Sequence, residues 1–204
     1  MANLDARFGL RPVGHVNGGC SGRTMKCYLP ATYGTAVFVG DPVVLTGTSN
    51  TAAVTAGLEK HQIGTLPEVN KATAGDGNKI AGAIVGFENQ SLRVGTAPQG
   101  TASTARVALV NVDPGTIYQV QASGAIGAAS VGLNAPLVYT HSGDTNSGLS
   151  GAELDHSAVA TTATEQLKIV RISTIPGRSD PASANTVVEV IINNHQYANV
   201  VAGV

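Results

Sequence analysis

The chain has 204 residues, a formal net charge of −1 and only 12% charged residues, about half of the roughly 25% usual in soluble domains. No global field is available to draw in nucleic acid or anionic lipid, and an apolar share of 43% excludes a disordered chain. With 25 glycines, no Trp and 4% aromatics, the core is expected to be thin, built from small and β-branched side chains. A chain of this length buries roughly 70% of its unfolded surface without disulfides or metals.

The opening residues Met1 to Arg7 carry no apolar h-region, so no signal peptide is expected. No apolar run approaches the length of a membrane span. The expectation is synthesis in a cytoplasm without export by the usual routes, and no membrane or nucleic-acid partner. Residues 1–19 differ from the rest of the chain. Phe8-Gly9-Leu10-Arg11-Pro12-Val13-Gly14 alternates apolar residues with Gly, Arg and Pro, and Pro12 biases Arg11 toward extended backbone. This reads as an extended N-terminal arm. Two accounts fit it: a frayed terminus, or a docking segment ordered against a neighbouring subunit, with Phe8 and Leu10 as anchors beside two arginines. Under the second, Arg7, Phe8, Leu10, Arg11, Pro12 and His15 are the candidate contact residues, and removing residues 1–14 is expected to leave a folded body.

Cys20 and Cys27 read as two reduced thiols. A disulfide would need suitable geometry and an oxidising compartment, and a metal site would need further ligands at zinc-like spacing. Residues 23–29 predict a strand closed by Pro30. Tyr33 to Gly47 then holds two β-branched runs, Ala36–Val39 and Val43–Leu45, which fit pleated, packed surface. Gly40-Asp41-Pro42 joins them. A permissive residue followed by one with fixed φ and no donor predicts a bulge or corner. Repeated corners curl a sheet into a barrel or sandwich.

Residues 51–55 predict a returning strand. Residues 57–77 read as a long surface loop with strand fragments, part of an irregular insertion near 57–104. Within that insertion, residues 79–87 predict a buried strand. Residues 105–112 and 116–121 predict a hairpin around Asp113-Pro114-Gly115, which supplies a side-chain acceptor, a preset φ and a permissive residue. One short helical turn is expected within 124–133. Further strands are expected over 136–140, 152–156, 166–175 and 186–192, with an apolar tail at 200–204. About a dozen short strands with almost no helix predict an all-β chain: a single-domain β-barrel or β-sandwich of short antiparallel strands, spanning 20–204 behind the arm.

Chemistry is sparse. Gly148-Leu149-Ser150-Gly151 approaches a nucleophile elbow but lacks its spacer residue and its strand–turn–helix setting. Histidines at 15, 61, 141, 156 and 195 show no metal-ligand spacing. Asp144-x-Asn146-x-Gly148 resembles the front of a calcium loop without the later acidic ligand, and a simple Asx turn accounts for it. No phosphate-gripping loop is present. No catalytic residue, cofactor or metal is expected.

Several stretches resemble one family. Met1 to Val13, Val39-Gly40-Asp41-Pro42-Val43, Asp113 to Gly124, Ser150-Gly151-Ala152-Glu153-Leu154 and Val190 to His195 are similar, in order along nearly the whole chain, to capsid decoration (cement) proteins of tailed bacteriophages and prophages. His195 stands where that resemblance leads one to expect an acidic residue, and residues 57–104 show little of it. The resemblance implies a non-catalytic β protein on the outer surface of an icosahedral head. It would act as a homotrimer bridging adjacent major capsid protein subunits. The surface composition agrees, since a surface poor in charge and rich in Thr, Ser, Asn and Gly suits close packing against like surfaces. The alternative is a virion-surface β-sandwich module that binds host glycans, which would want exposed aromatic rings for sugar stacking.

Overall fold

Alternation along a strand sends neighbouring side chains to opposite faces, and here the two faces of one strand feed two different cores. In β3 (Pro42–Ser49), Val43 and Leu45 point into a barrel while Val44 packs on the opposite side, against the core of a separate sheet. In β7 (Gly82–Phe87), Ile84 faces the barrel and Ala83 the other core. The structure, a computed structural model, describes residues 2–19, 23–89 and 97–198.

The barrel is closed by β2 (Thr24–Leu29), β6 (Pro67–Lys71), β3, β7 and β8 (Arg106–Asn111), in that order. All pairings are antiparallel except β2 with β6, which meet in parallel at Tyr28 and Glu68. Its interior holds Cys27, Leu29, Val37, Val43, Val69, Ile84, Ala108 and Val110. The second layer is an antiparallel sheet in the order β1 (Arg11–His15), β9 (Thr116–Gln121), β14 (Val187–Ile192), β13 (Leu167–Ile172) and β10 (Asn134–Ala135). Tyr118, Val120, Leu167, Ile169, Val188 and Val190 form its inner face, packed with Ala72, Ile80 and Ala83 from the barrel side. Two small ribbons complete the strands: β4 (Val54–Ala56) with β5 (Glu59–His61), and β11 (Leu137–Val138) with β12 (Glu153–Leu154). The chain is thus all-β, as its composition and turn spacing predict, with single 3₁₀ turns at 128–130 and 156–158.

Four expectations need correction. The segment 2–15 is not a separate arm: β1 pairs with β9, and Leu10 has no exposed surface within the sheet core. Residues 57–104 are not simply an insertion, because β6 lies between β2 and β3 in the barrel with Val69 fully buried. Ala36–Val39 is not a continuous strand; Val37 and Val39 make single bridges to Gly100 and Leu149. Finally, β8 and β9 do not form a hairpin. Both edges of β8 are taken by β2 and β7, and both edges of β9 by β1 and β14, so Asp113-Pro114-Gly115 carries the chain from barrel to sheet. The expected turn chemistry is present. Asp113 Oδ1 accepts from the Gly115 amide at 3.0 Å, and the Thr116 amide donates to the Asp113 carbonyl at 3.1 Å. Cys27 is buried, and burial pushes its thiol up to about 12; a pairing with Cys20, and the tail 200–204, lie outside the described residues.

Candidate functional site

The N-terminal segment is built into a polar seam that joins the barrel corner, the sheet and the loops around β12. At the corner, the Phe38 amide donates to Asp41 Oδ2 at 2.9 Å and the Asp41 amide returns to the Phe38 carbonyl at 3.0 Å. Gly40 sits at φ +91° between them. This is the corner the Gly-Asp-Pro sequence predicts. Asp41 is fully buried. Its Oδ1 accepts from Ser150 Oγ at 2.5 Å and pairs with Lys71 Nζ at 3.1 Å. Ser150 Oγ also accepts from the Ala152 amide at 3.0 Å. A serine this buried, with its hydroxyl committed to a carboxylate, serves as a crosslink and is not presented to a substrate. The Lys71 ammonium lies 4.2 Å from the Tyr139 ring centroid. Burial, and then the charge of Asp41, push the Tyr139 phenol well above its ordinary range.

A second layer runs alongside. Gln121 reads the backbone and side chains of the N-terminal segment together: its Oε1 accepts from the Ala6 amide at 2.9 Å, and its Nε2 donates to Asp5 Oδ1 at 2.9 Å and Glu153 Oε1 at 3.0 Å. Glu153 is buried and accepts from Thr140 Oγ1 at 2.5 Å, with Arg7 Nε at 3.7 Å. The hydrogen bond from Gln121, helped by Arg7, holds the Asp5 carboxyl below its usual range. Farther out, Asn3 Nδ2 donates to the carbonyls of Asp180, Ser183 and Ala184, and Asn3 Oδ1 accepts from the Asp180 amide. One side chain thereby fastens the loop before β14.

Each predicted contact residue has a definite place. Arg7 is partly buried against Asp5 and Glu153. Phe8 is buried, with Arg11 4.7 Å and Arg178 6.0 Å from its ring centroid. Leu10 is in the core. Arg11 is exposed at its position and donates to Gln119 Oε1 at 2.6 Å. Pro12 is half-buried in β1. His15 meets Asp113 at 3.2 Å. The structure gathers all six along one edge, but against their own chain. The apolar groups this segment leaves exposed are Leu4, Val13 and Val16. Beside them, Phe8, Leu10, Pro12, Val39 and Leu149 line a groove of about 260 Å³.

One cluster escaped the sequence reading. His61 Nε2 lies 3.0 Å from Glu88 Oε2 and 3.7 Å from Glu59 Oε2. Lys26 Nζ bridges Glu59 Oε2 and Glu88 Oε1. The three acceptor groups are the right types for a divalent cation, with ligand atoms within 4.8 Å of one another, but the lysine ammonium already supplies the positive charge between them. The available signal was Glu59-x-His61, which places both side chains on one face of a strand; Glu88 and Lys26 are distant in sequence. The Asp144 loop is an Asx turn, its carboxyl lowered first by the Asn146 amide and then by Ser147. Among the described residues no helix is long and apolar enough to cross a membrane. Comparison of the chain with protein-family models, with curated proteins and with solved structures gives no match.

Proposed function

We propose that the chain is a non-catalytic virion protein, a decoration or cement protein that coats the outer face of an icosahedral phage head and bridges neighbouring major capsid protein subunits. One observation carries this reading. The five stretches that resemble the decoration family are far apart in sequence, yet 1–13, 39–43, 113–124, 150–154 and 190–195 all fall on or beside the seam between barrel and sheet. They meet through Leu10 on Gly40, Ser150 on Asp41, Gln121 on Asp5 and Glu153, and Val190 paired with Tyr118 across β14 and β9. Segments that share a fold-closing role are what a common scaffold would keep in order along the chain.

In this reading the groups that face the capsid are those this segment leaves exposed. Phe8 and Leu10 hold the segment to its own body, so Leu4, Arg11, Val13 and Val16 are the groups left to touch a neighbour. A modest contact suffices. A homotrimer formed by one repeated heterologous interface would engage several subunits at once, and avidity can exceed single-site affinity by about 10²–10⁴. A glycan-binding module would need several exposed aromatic rings, but Tyr118 is fully buried, Tyr33 and Tyr139 make internal hydrogen bonds, and Tyr197 is the one exposed aromatic ring among the described residues.

The test is co-sedimentation of purified protein with undecorated heads assembled from the cognate major capsid protein, then electron cryomicroscopy. Saturable, ordered occupancy is expected. A Leu4→Asp, Val16→Asp variant with unchanged thermal stability should bind at least tenfold more weakly. Heads that stay bare at micromolar protein would overturn the proposal.

A further inference from the structure

His195 lies three residues past the end of the sheet's last strand, β14 (Val187–Ile192), and is 1% exposed. Its Nδ1 accepts from the Tyr197 amide at 3.0 Å. A ring nitrogen that accepts carries no proton, so the neutral ring holds its hydrogen on Nε2. That Nε2 has no hydrogen-bond partner among the described residues. The only site for a second proton is therefore Nδ1, and protonation there removes the acceptor that holds Tyr197.

This short turn is what fastens the sheet to the barrel at this end. The Ile80 amide donates to the Asn194 carbonyl at 3.0 Å, and the Gln196 amide donates back to the Ile80 carbonyl at 2.9 Å. The Gln196 side chain accepts from the Leu45 amide of β3 at 2.8 Å. The turn thus clasps β14 to two segments of the barrel side, and His195 sits inside the clasp.

We propose that His195 is an acid-operated clasp: a proton arriving at Nδ1 releases the turn 194–197 from Ile80 and Leu45 and loosens the sheet from the barrel, while each keeps its own paired strands. This does not depend on the capsid reading. The groups around the ring do not offset the charge. Asp113, on the barrel-to-sheet crossover, attracts a proton to His195 but is itself 3.2 Å from His15. The Cys27 thiol and Tyr197 phenol are both raised by burial and stay neutral through the range concerned. Burial outweighs Asp113 and lowers the ring to about 4 from an ordinary 6.5. The folded clasp therefore prefers neutral histidine. It is intact above pH 6.5 and weakens as pH falls from 6.5 toward 4.

The experiment is amide hydrogen exchange by NMR on the full chain from about pH 7.5 to 5.5, corrected for intrinsic exchange rates. Protection at Leu45, Ile80, Gln196 and Tyr197 should fall about tenfold over that range, while Val107 and Val110 in β8 keep theirs. In His195→Asn, whose side-chain oxygen can accept from Tyr197 without titrating, the four amides should show no such pH dependence. Unchanged protection in the wild type, an equal loss in β8, or the same pH dependence in the variant would each overturn the proposal. Should the variant not fold, the wild-type comparison of clasp and β8 amides, read with the His195 ring-proton titration, still decides it.

Discussion

Gly9 and Gly40 cross with their backbones in contact: the amide after the first, Leu10 N–H, donates to the carbonyl oxygen of the second at 2.8 Å. A β-carbon on Gly9 would lie 2.3 Å from that oxygen, and one on Gly40 would lie 2.2 Å from the carbonyl oxygen of Phe8. Both glycines have positive φ, +67° and +91°. Here the N-terminal segment is pressed onto the barrel corner, and only residues without a side chain permit it.

Gly9→Ala and Gly40→Ala should therefore each destabilise the fold by about 2–5 kcal/mol. A left-handed backbone costs an L-residue about 1–2 kcal/mol, and forcing a methyl against backbone adds about 1–3. Gly34→Ala is the control, because nothing lies within 4 Å of its β-position and its φ is not positive. Urea denaturation midpoints should separate the two classes, with Gly34→Ala within about 0.5 kcal/mol of wild type.

The same crossing changes what truncation should do. A free docking arm could be removed without harm to the body, but β1 and Leu10 belong to the sheet core. Leu10→Ala should cost about 2–5 kcal/mol. Deleting residues 2–14 should remove the cooperative thermal transition or lower it by more than about 10 °C, at about 2–4 °C per kcal/mol for a chain of this size. A truncated protein that melted like the full chain would return these residues to the status of an independent arm.

Asp41 offers a third measurement. It is fully buried and neutralises Lys71, whose side chain is itself only 15% exposed. Asp41→Asn keeps the shape but leaves the ammonium without its charge partner, a loss of about 3–5 kcal/mol for a buried pair. Ser150→Ala removes one hydrogen bond to the same carboxylate and should cost about 1–3 kcal/mol. The two residues contact each other, so the double variant should cost less than the sum, and a double-mutant cycle would measure the coupling.

Local chemistry was legible in the sequence where the cause is local. The corner at Gly40-Asp41-Pro42, the turn at Asp113-Pro114-Gly115 and the β-branched runs of β3, β8 and β14 are short-range effects, and the fold contains them. Pairing was not legible. Asp113-Pro114-Gly115 makes the same turn whether the strands return on each other or diverge, and the choice rests on β2 and β7 already flanking β8. The strand β6 was hidden because Pro67-Glu68-Val69-Asn70-Lys71 has one apolar side chain pointing inward, and its other residues read as loop. Phe8 and Leu10 were recognised as anchors, but the sequence carries no mark of which surface they anchor to. That surface is their own chain, through Gly40 and Gln121. The Lys26, Glu59, His61 and Glu88 cluster needed the barrel to close before its members could meet.

Two buried groups set opposite pH limits on stability, and Glu165 supplies the alkaline side. The residue is 6% exposed, one carboxyl oxygen lacks a partner among the described residues, and burial, then Asp76 and Asp155, raise its pKa. The fold therefore prefers the protonated acid. Stability is highest below the ordinary carboxylate pKa and falls as Glu165 ionises with rising pH. Glu165→Gln keeps the size and removes the charge, so it should stabilise the protein at neutral pH by on the order of 1 kcal/mol, the scale of an unpaired buried acceptor. Near pH 4, where the wild-type carboxyl is itself neutral, the gain should vanish. His195 acts in the reverse sense, its cost appearing only as pH drops below 6.5. Urea midpoints of wild type and Glu165→Gln at about pH 4, 5.5, 7 and 8.5 check the sign. Equal curves at all four values would show that Glu165 is solvated and carries no such cost.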